Sequence, residues 1–190
     1  MPLLDFDAAA LYEVMLCLKI FIKSDGIKSV AETRGAIDAM CLALDFNHNF
    51  LVVQILELLS VITAYGGEDA IWQVAQGLHH LAKVRHEKPF ACFAAAMIER
   101  GIDIQVAVVS FINTFLMSMK DLEERITVRG HLYSAKFNQV LEFLVILDGD
   151  ETVIGFSDDM TAALLDTMDR PVLLLALAFV GFALNLLFSL

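Results

Sequence analysis

Val14–Val30 reads VMLCLKIFIKSDGIKSV, and 41 residues further on Ile55–Ile71 reads ILELLSVITAYGGEDAI. Laid over one another, Val14 falls on Ile55, Leu18 on Leu59 and Gly26 on Gly67. In both stretches apolar residues recur at spacings of three and four, the period of a helix with one buried face. Each apolar run is followed by a glycine, at Gly26 and Gly67, where a left-handed helix cap suits a residue without a Cβ. A third copy runs from Val109 and, after an extra stretch, ends in Leu-Glu-Glu-Arg-Ile at 122–126.

A repeat near forty residues that is helical throughout has the length of an armadillo or HEAT unit. The fold expected is therefore all-α, a stack of helical repeats. Three stripes mark its layers: Leu11, Val14, Met15, Leu18 and Ile22; Leu51, Val52, Ile55, Leu58, Leu59 and Ile62; and Val106, Val109, Ile112, Phe115 and Leu116. Strand-like alternation is hard to find. Asp25-Gly26 and Asp148-Gly149 follow helical runs and read as helix ends rather than hairpin turns. The periodicity places helices at 6–23, 27–32, 35–44, 48–64, 69–85, 88–100, 103–119, 122–134 and 136–147. These make a domain over 1–147, followed by an acidic linker at 148–170 with a short helix from Asp159 to Asp169.

Pro171–Leu190, PVLLLALAFVGFALNLLFSL, contains no charged side chain, and Asn185 and Ser189 are its only polar ones. At a rise of 1.5 Å per residue it reaches roughly 30 Å, the thickness of a bilayer's hydrocarbon core. It has no polar face at any angle, so it reads as a C-terminal hydrophobic helix and a candidate membrane span.

Composition removes other classes. The formal net charge of −11 argues against nucleic acid as a partner, because phosphate binding needs clustered Lys and Arg. Cys17, Cys41 and Cys92 sit singly in apolar runs, with no metal-ligand spacing, and read as buried, reduced thiols. The N-terminus carries early acids and no basic segment, unlike a secretory signal. His79, His80 and His86 lie close, with Glu87 beside them, but zinc sites use tighter spacing and more ligands. They read as exposed histidines; a metal-dependent enzyme built on them is the alternative from another class. No serine sits in a nucleophile elbow, Gly66-Gly67 is a lone pair rather than a phosphate loop, and Glu123-Glu124-Arg125 reads as a solvated helix face. No catalytic residue, cofactor or metal site is expected, and the chain reads as a non-enzymatic protein.

Four stretches in order resemble the armadillo-repeat regulatory region of formins, the diaphanous-type inhibitory domain. Cys17-Leu18-Lys19-Ile20-Phe21 followed by Gly26-Ile27-Lys28 is similar to that family's Cys-Leu-Lys-Ala-Phe-Met-Asn-Asn segment and its continuation. Leu56-Glu57-Leu58-Leu59 through Gly66-Gly67 resembles its Leu-Glu-Leu-Leu to Gly-Gly repeat. Ser110-Phe111-Ile112-Asn113 resembles its Phe-Ile-Asn helix. Leu122-Glu123-Glu124-Arg125, with Arg129 and Val140-Leu141, resembles its Leu-Asp-Phe-Arg-Val-His-Ile-Arg segment and the helix after it. Order and spacing agree from about Leu11 to Leu147.

The resemblance implies a right-handed armadillo-like stack whose groove takes the amphipathic autoregulatory helix of formins. A Rho-family GTPase displaces that helix, and the family's setting is the cytoplasm and the actin cytoskeleton. By motif, the groove positions are Ala107, Ser110, Phe111, Asn113 and Thr114, and the GTPase-contact region is Lys23, Ser24 and Asp25. Phe111 is equally a core candidate. Lys23 and Ser24 stand where the family carries paired asparagines, with one residue fewer before Gly26, so the GTPase contact implied is weak. The helical subdomain that precedes these repeats in formins and the actin-assembling domain have no counterpart in the sequence. Actin nucleation by the formin route is not expected. A membrane-anchored helical adaptor without a GTPase or actin role is the nearer alternative.

Overall fold

The computed structural model describes residues 5–141. The linker at 148–170, the apolar stretch at 171–190 and residues 142–147 of the last expected helix lie outside the described residues. The described residues form helices α1 (Asp5–Phe21), α2 (Ile27–Glu32), α3 (Ala36–Leu42), α4 (Asn49–Tyr65), α5 (Glu68–Arg85), α6 (Ala91–Glu99), α7 (Ile102–Ser118) and α8 (Leu122–Ser134). A further helical stretch occupies 137–141, and no strand occurs among the described residues.

The architecture follows from α4. Its apolar residues Leu51, Val52, Ile55, Leu58, Leu59 and Ile62 are all buried. Each such side chain contributes about 1.5–3 kcal/mol relative to exposure. α4 achieves this by packing between α1 and α7 while touching α3 and α5 as well. α1, α4 and α7, each 17 residues long, form one layer. α3 packed on α5 forms a second, and α6 packs on α7. The register explains why equivalent repeat positions differ in burial. Val14 is 57% exposed and Ile55 is 0% exposed, because α1 has the stack on one side only among the described residues, whereas α4 has it on both.

The α3–α5 contact is close because Gly77 has no side chain. A Cβ there would stand 2.8 Å from the Cys41 Sγ and 3.4 Å from the Asp38 Cα. Polar ties between elements join the apolar contacts. The Gln73 amide donates to the Ala31 carbonyl at 2.7 Å, and the Arg85 guanidinium donates to the Leu44 carbonyl. Local chemistry fixes the ends of α5. Glu68 and Asp69 lie in its first turn and Lys83 and Arg85 in its last, matching both ends of the helix dipole. At α8 the Asp121 carboxylate accepts from the Glu123 N–H at 2.9 Å.

Three expectations need correction. Gly26 does not end a helix in the left-handed region: its φ is −74°, and a π-helical segment (Ile22–Gly26) carries α1 straight into α2. Glycine is needed there for space, since a Cβ would lie 2.5 Å from the Phe21 ring and carbonyl. Gly67 does have a positive φ, 83°, but with ψ −177° it is an extended turn that launches α5, while Gly66 caps α4. Cys17 is exposed, unlike buried Cys41, because its position on α1 faces away from α4. No helix among the described residues is long and apolar enough to cross a membrane.

Candidate functional site

α7 turns one face inward and one outward. Val108, Val109, Phe111, Ile112 and Phe115 are buried. Val106, Ala107, Ser110, Asn113, Thr114 and Met117 are half-exposed. At 100° per residue these six fall within an arc of about 120°, one continuous outward stripe. The Thr114 hydroxyl donates back to the Ser110 carbonyl at 2.9 Å, so it is satisfied by its own helix. Asn113 has no side-chain hydrogen bond among the described residues, which leaves its amide donor and acceptor open to a partner. Beside this stripe, α4 presents its own through Phe50, Val53, Glu57 and Ala64. The Glu57 carboxylate accepts from the Lys19 ammonium of α1 at 3.2 Å and from the Gln54 amide at 3.3 Å. The first of these bonds ties α1 to α4, and the second lies within α4.

Four of the five groove positions, Ala107, Ser110, Asn113 and Thr114, are thus brought together on one accessible face. Phe111 is not among them. It is 0% exposed and its ring stacks between Phe93 and Phe115, with centroids 6.0 and 5.7 Å away. The physical reason is angular: position 111 lies 100° round the helix from Ser110, far enough to enter the core beneath α6.

In the region assigned to GTPase contact, Lys23 and Ser24 are exposed on the π-helical segment. The Ser24 hydroxyl donates to the Ile20 and Phe21 carbonyls at 3.0 and 3.1 Å, so it is engaged with its own helix. Asp25 belongs to the same segment. The histidines do not converge. His80 faces Asp38 at 2.9 Å, His79 lies 6.2 Å from the His131 ring, and His86 caps α5 with a φ of 56°. No group of three or more metal-ligating side chains occurs among the described residues.

Sequence reasoning missed a second feature, a cleft of about 450 Å³ between α5 and α8, floored by Ile71, Phe90, Phe115, Met119 and Val128. Trp72, the one tryptophan of the chain, stands at its edge. The available signals were that lone tryptophan and the acid pairs at 68–69 and 123–124.

The chain is similar in sequence to known proteins. Over 140 residues, 73% of the chain, it is 21% identical to protein diaphanous homolog 3 of Homo sapiens. Over 141 residues it is 23% identical to protein diaphanous homolog 2 of Mus musculus. The aligned stretch spans only 12% of the first relative and 13% of the second. No family model matches the chain. The chain therefore carries a region similar to part of the diaphanous formins.

Proposed function

We propose that this chain is a non-enzymatic protein-interaction module of the formin regulatory type, an armadillo-like stack. It takes an amphipathic helix across the outward face of the α1–α4–α7 layer. The observation that carries the reading is the α7 stripe. Ala107 and Ser110 are small enough for close approach, Met117 and Val53 offer apolar contact, and Asn113 offers a free amide. The similarity to diaphanous homologues supports the same assignment and brings with it a link to actin regulation in the cytoplasm.

The Rho-family GTPase half of the formin arrangement is expected to be weak here. Lys23 and Ser24 replace the asparagines that the resemblance calls for, and the Ser24 hydroxyl is already bonded. Two ligands that exclude one another on a shared surface are linked negatively; a chain that has lost one contact keeps the helix site without its switch.

The test is Asn113→Asp, a nearly isosteric change on a half-exposed position. Affinity for a labelled amphipathic peptide of the formin autoregulatory type should fall about fivefold to tenfold, as a charge replaces a neutral amide against an apolar partner. Circular dichroism should remain unchanged. Unaltered anisotropy curves with an intact fold would place the helix site elsewhere. Tight, nucleotide-dependent GTPase binding in calorimetry would overturn the second half of the reading.

A further inference from the structure

The cleft between α5 and α8 lies on the inner side of α7, away from the stripe assigned to the helix partner. Ile71, Phe90, Phe115, Met119 and Val128 give it an apolar floor, and His79 and His131 also line it. Its rim is not neutral. α5 opens with Glu68 and Asp69, and α8 opens with Asp121, Glu123 and Glu124. The two helix starts meet across a side opening of about 530 Å³, lined by Glu68, Asp69, Trp72, Lys120, Asp121 and Glu124.

Each helix alone has a reason for acids in its first turn, since they complement its dipole. The dipoles do not explain why two such starts should face one another. Converging carboxylates repel, and the local relief is small. Lys120 is the cation of this opening, bonded to Glu68 at 3.1 Å, and both side chains are largely in solvent. Asp121 spends an oxygen on the Glu123 N–H. Asp69, Glu123 and Glu124 have no ion pair among the described residues. Trp72 stands 58% exposed between the acids and the apolar floor, with no aromatic partner among the described residues. Exposed tryptophans bordering an apolar cleft are efficient anchors for a partner, and their ring faces attract ammonium and guanidinium groups.

We infer that this cleft is a docking site, separate from the α7 stripe, for a basic amphipathic peptide. Its apolar side chain enters between α5 and α8, and its Lys or Arg residues lie over Trp72 and against Asp69, Glu123 and Glu124. Charge decides the occupant: five carboxylates against one ammonium repel nucleic acid and acidic peptides and draw a cationic segment.

Trp72 supplies the assay, because it is the only tryptophan in the chain. The probe is a fluorescein-labelled fourteen-residue helix of leucine and lysine, with a leucine–glutamate helix of the same apolar pattern as its counterpart. Unlabelled copies are titrated against the 190-residue chain with tryptophan emission recorded. The lysine helix should bind and shift the Trp72 emission, whereas the glutamate helix should do neither. Glu123→Gln with Glu124→Gln, both isosteric and exposed, should weaken binding roughly threefold to tenfold, as expected for losing two rim charge pairs. Glu13→Gln with Glu99→Gln removes equal charge elsewhere and should leave affinity unchanged. The inference is overturned if the lysine helix fails to bind. It is also overturned if binding leaves Trp72 emission unmoved, or if the two pairs of substitutions weaken binding alike.

Discussion

Replacing Phe111 by Ala separates a core residue from a contact residue. The side chain is fully buried, and its ring stacks with Phe93 on one side and Phe115 on the other. Truncating a buried phenylalanine removes its transfer energy and leaves a void, together about 3–5 kcal/mol. That cost is a large share of the ~5–15 kcal/mol that holds a typical domain folded. At roughly 3 °C per kcal/mol for a domain of this size, the melting temperature should drop by about 9–15 °C. Phe111→Leu, which keeps most of the volume, should cost about a third of that. The assay is thermal unfolding followed by circular dichroism at 222 nm, with peptide anisotropy measured well below the transition. A fall of less than about 4 °C, accompanied by lost binding of the autoregulatory-type helix, would refute the core assignment and return Phe111 to the outward face.

The other predictions concern close contacts and thiols. Gly77→Ala gains up to ~1 kcal/mol of helix propensity but drives a Cβ against Cys41 Sγ and the α3 backbone, so a net loss of about 1–2 kcal/mol is expected in urea unfolding. Combining it with Cys41→Ala should recover part of that loss, and strict additivity would deny the contact. Gly67→Ala has open space for its methyl but a φ of 83°, so its cost, about 1–2 kcal/mol, should come from backbone strain and persist whatever neighbours are trimmed. In the folded protein Cys17 should react with a thiol reagent at once, while Cys41 reacts only on unfolding, since burial pushes its pKa from 9.0 to about 12. The sign follows from that rise: the unfolded thiol ionises first, so the contribution of Cys41 to stability is complete below pH 9 and fades as pH climbs toward 12. An alkaline unfolding curve unchanged by Cys41→Ala would contradict it.

The helices were legible because each buried stripe keeps one period, and the expected helix over 48–64 differs from α4 by a residue at each end. The chain around Asp25-Gly26 was not. A sequence shows that glycine is present but not whether chirality or space requires it, and here the Phe21 ring decides. Phe111 was ambiguous for a related reason: it sits at the border between the inward and outward arcs of α7, and only the position of α6 assigns it. Ser110 and Asn113 were picked out by the resemblance, and the structure sets both on the half-exposed side of α7. The α5–α8 cleft left only a lone tryptophan and two acid pairs as signals, since it depends on bringing Glu68 and Glu124 together from positions far apart in the chain.

Three helices of 17 residues laid side by side also act as a ruler. Packed helices stand about 8–10 Å apart. A partner helix lying across them, advancing 1.5 Å per residue, meets the next axis after roughly five to seven residues. Its contact residues on one face should therefore recur near every seventh position, once per helix crossed. Inserting a single residue between two such contacts would turn everything beyond it by 100°. Register, more than the identity of any one side chain, would then decide which helices the layer accepts.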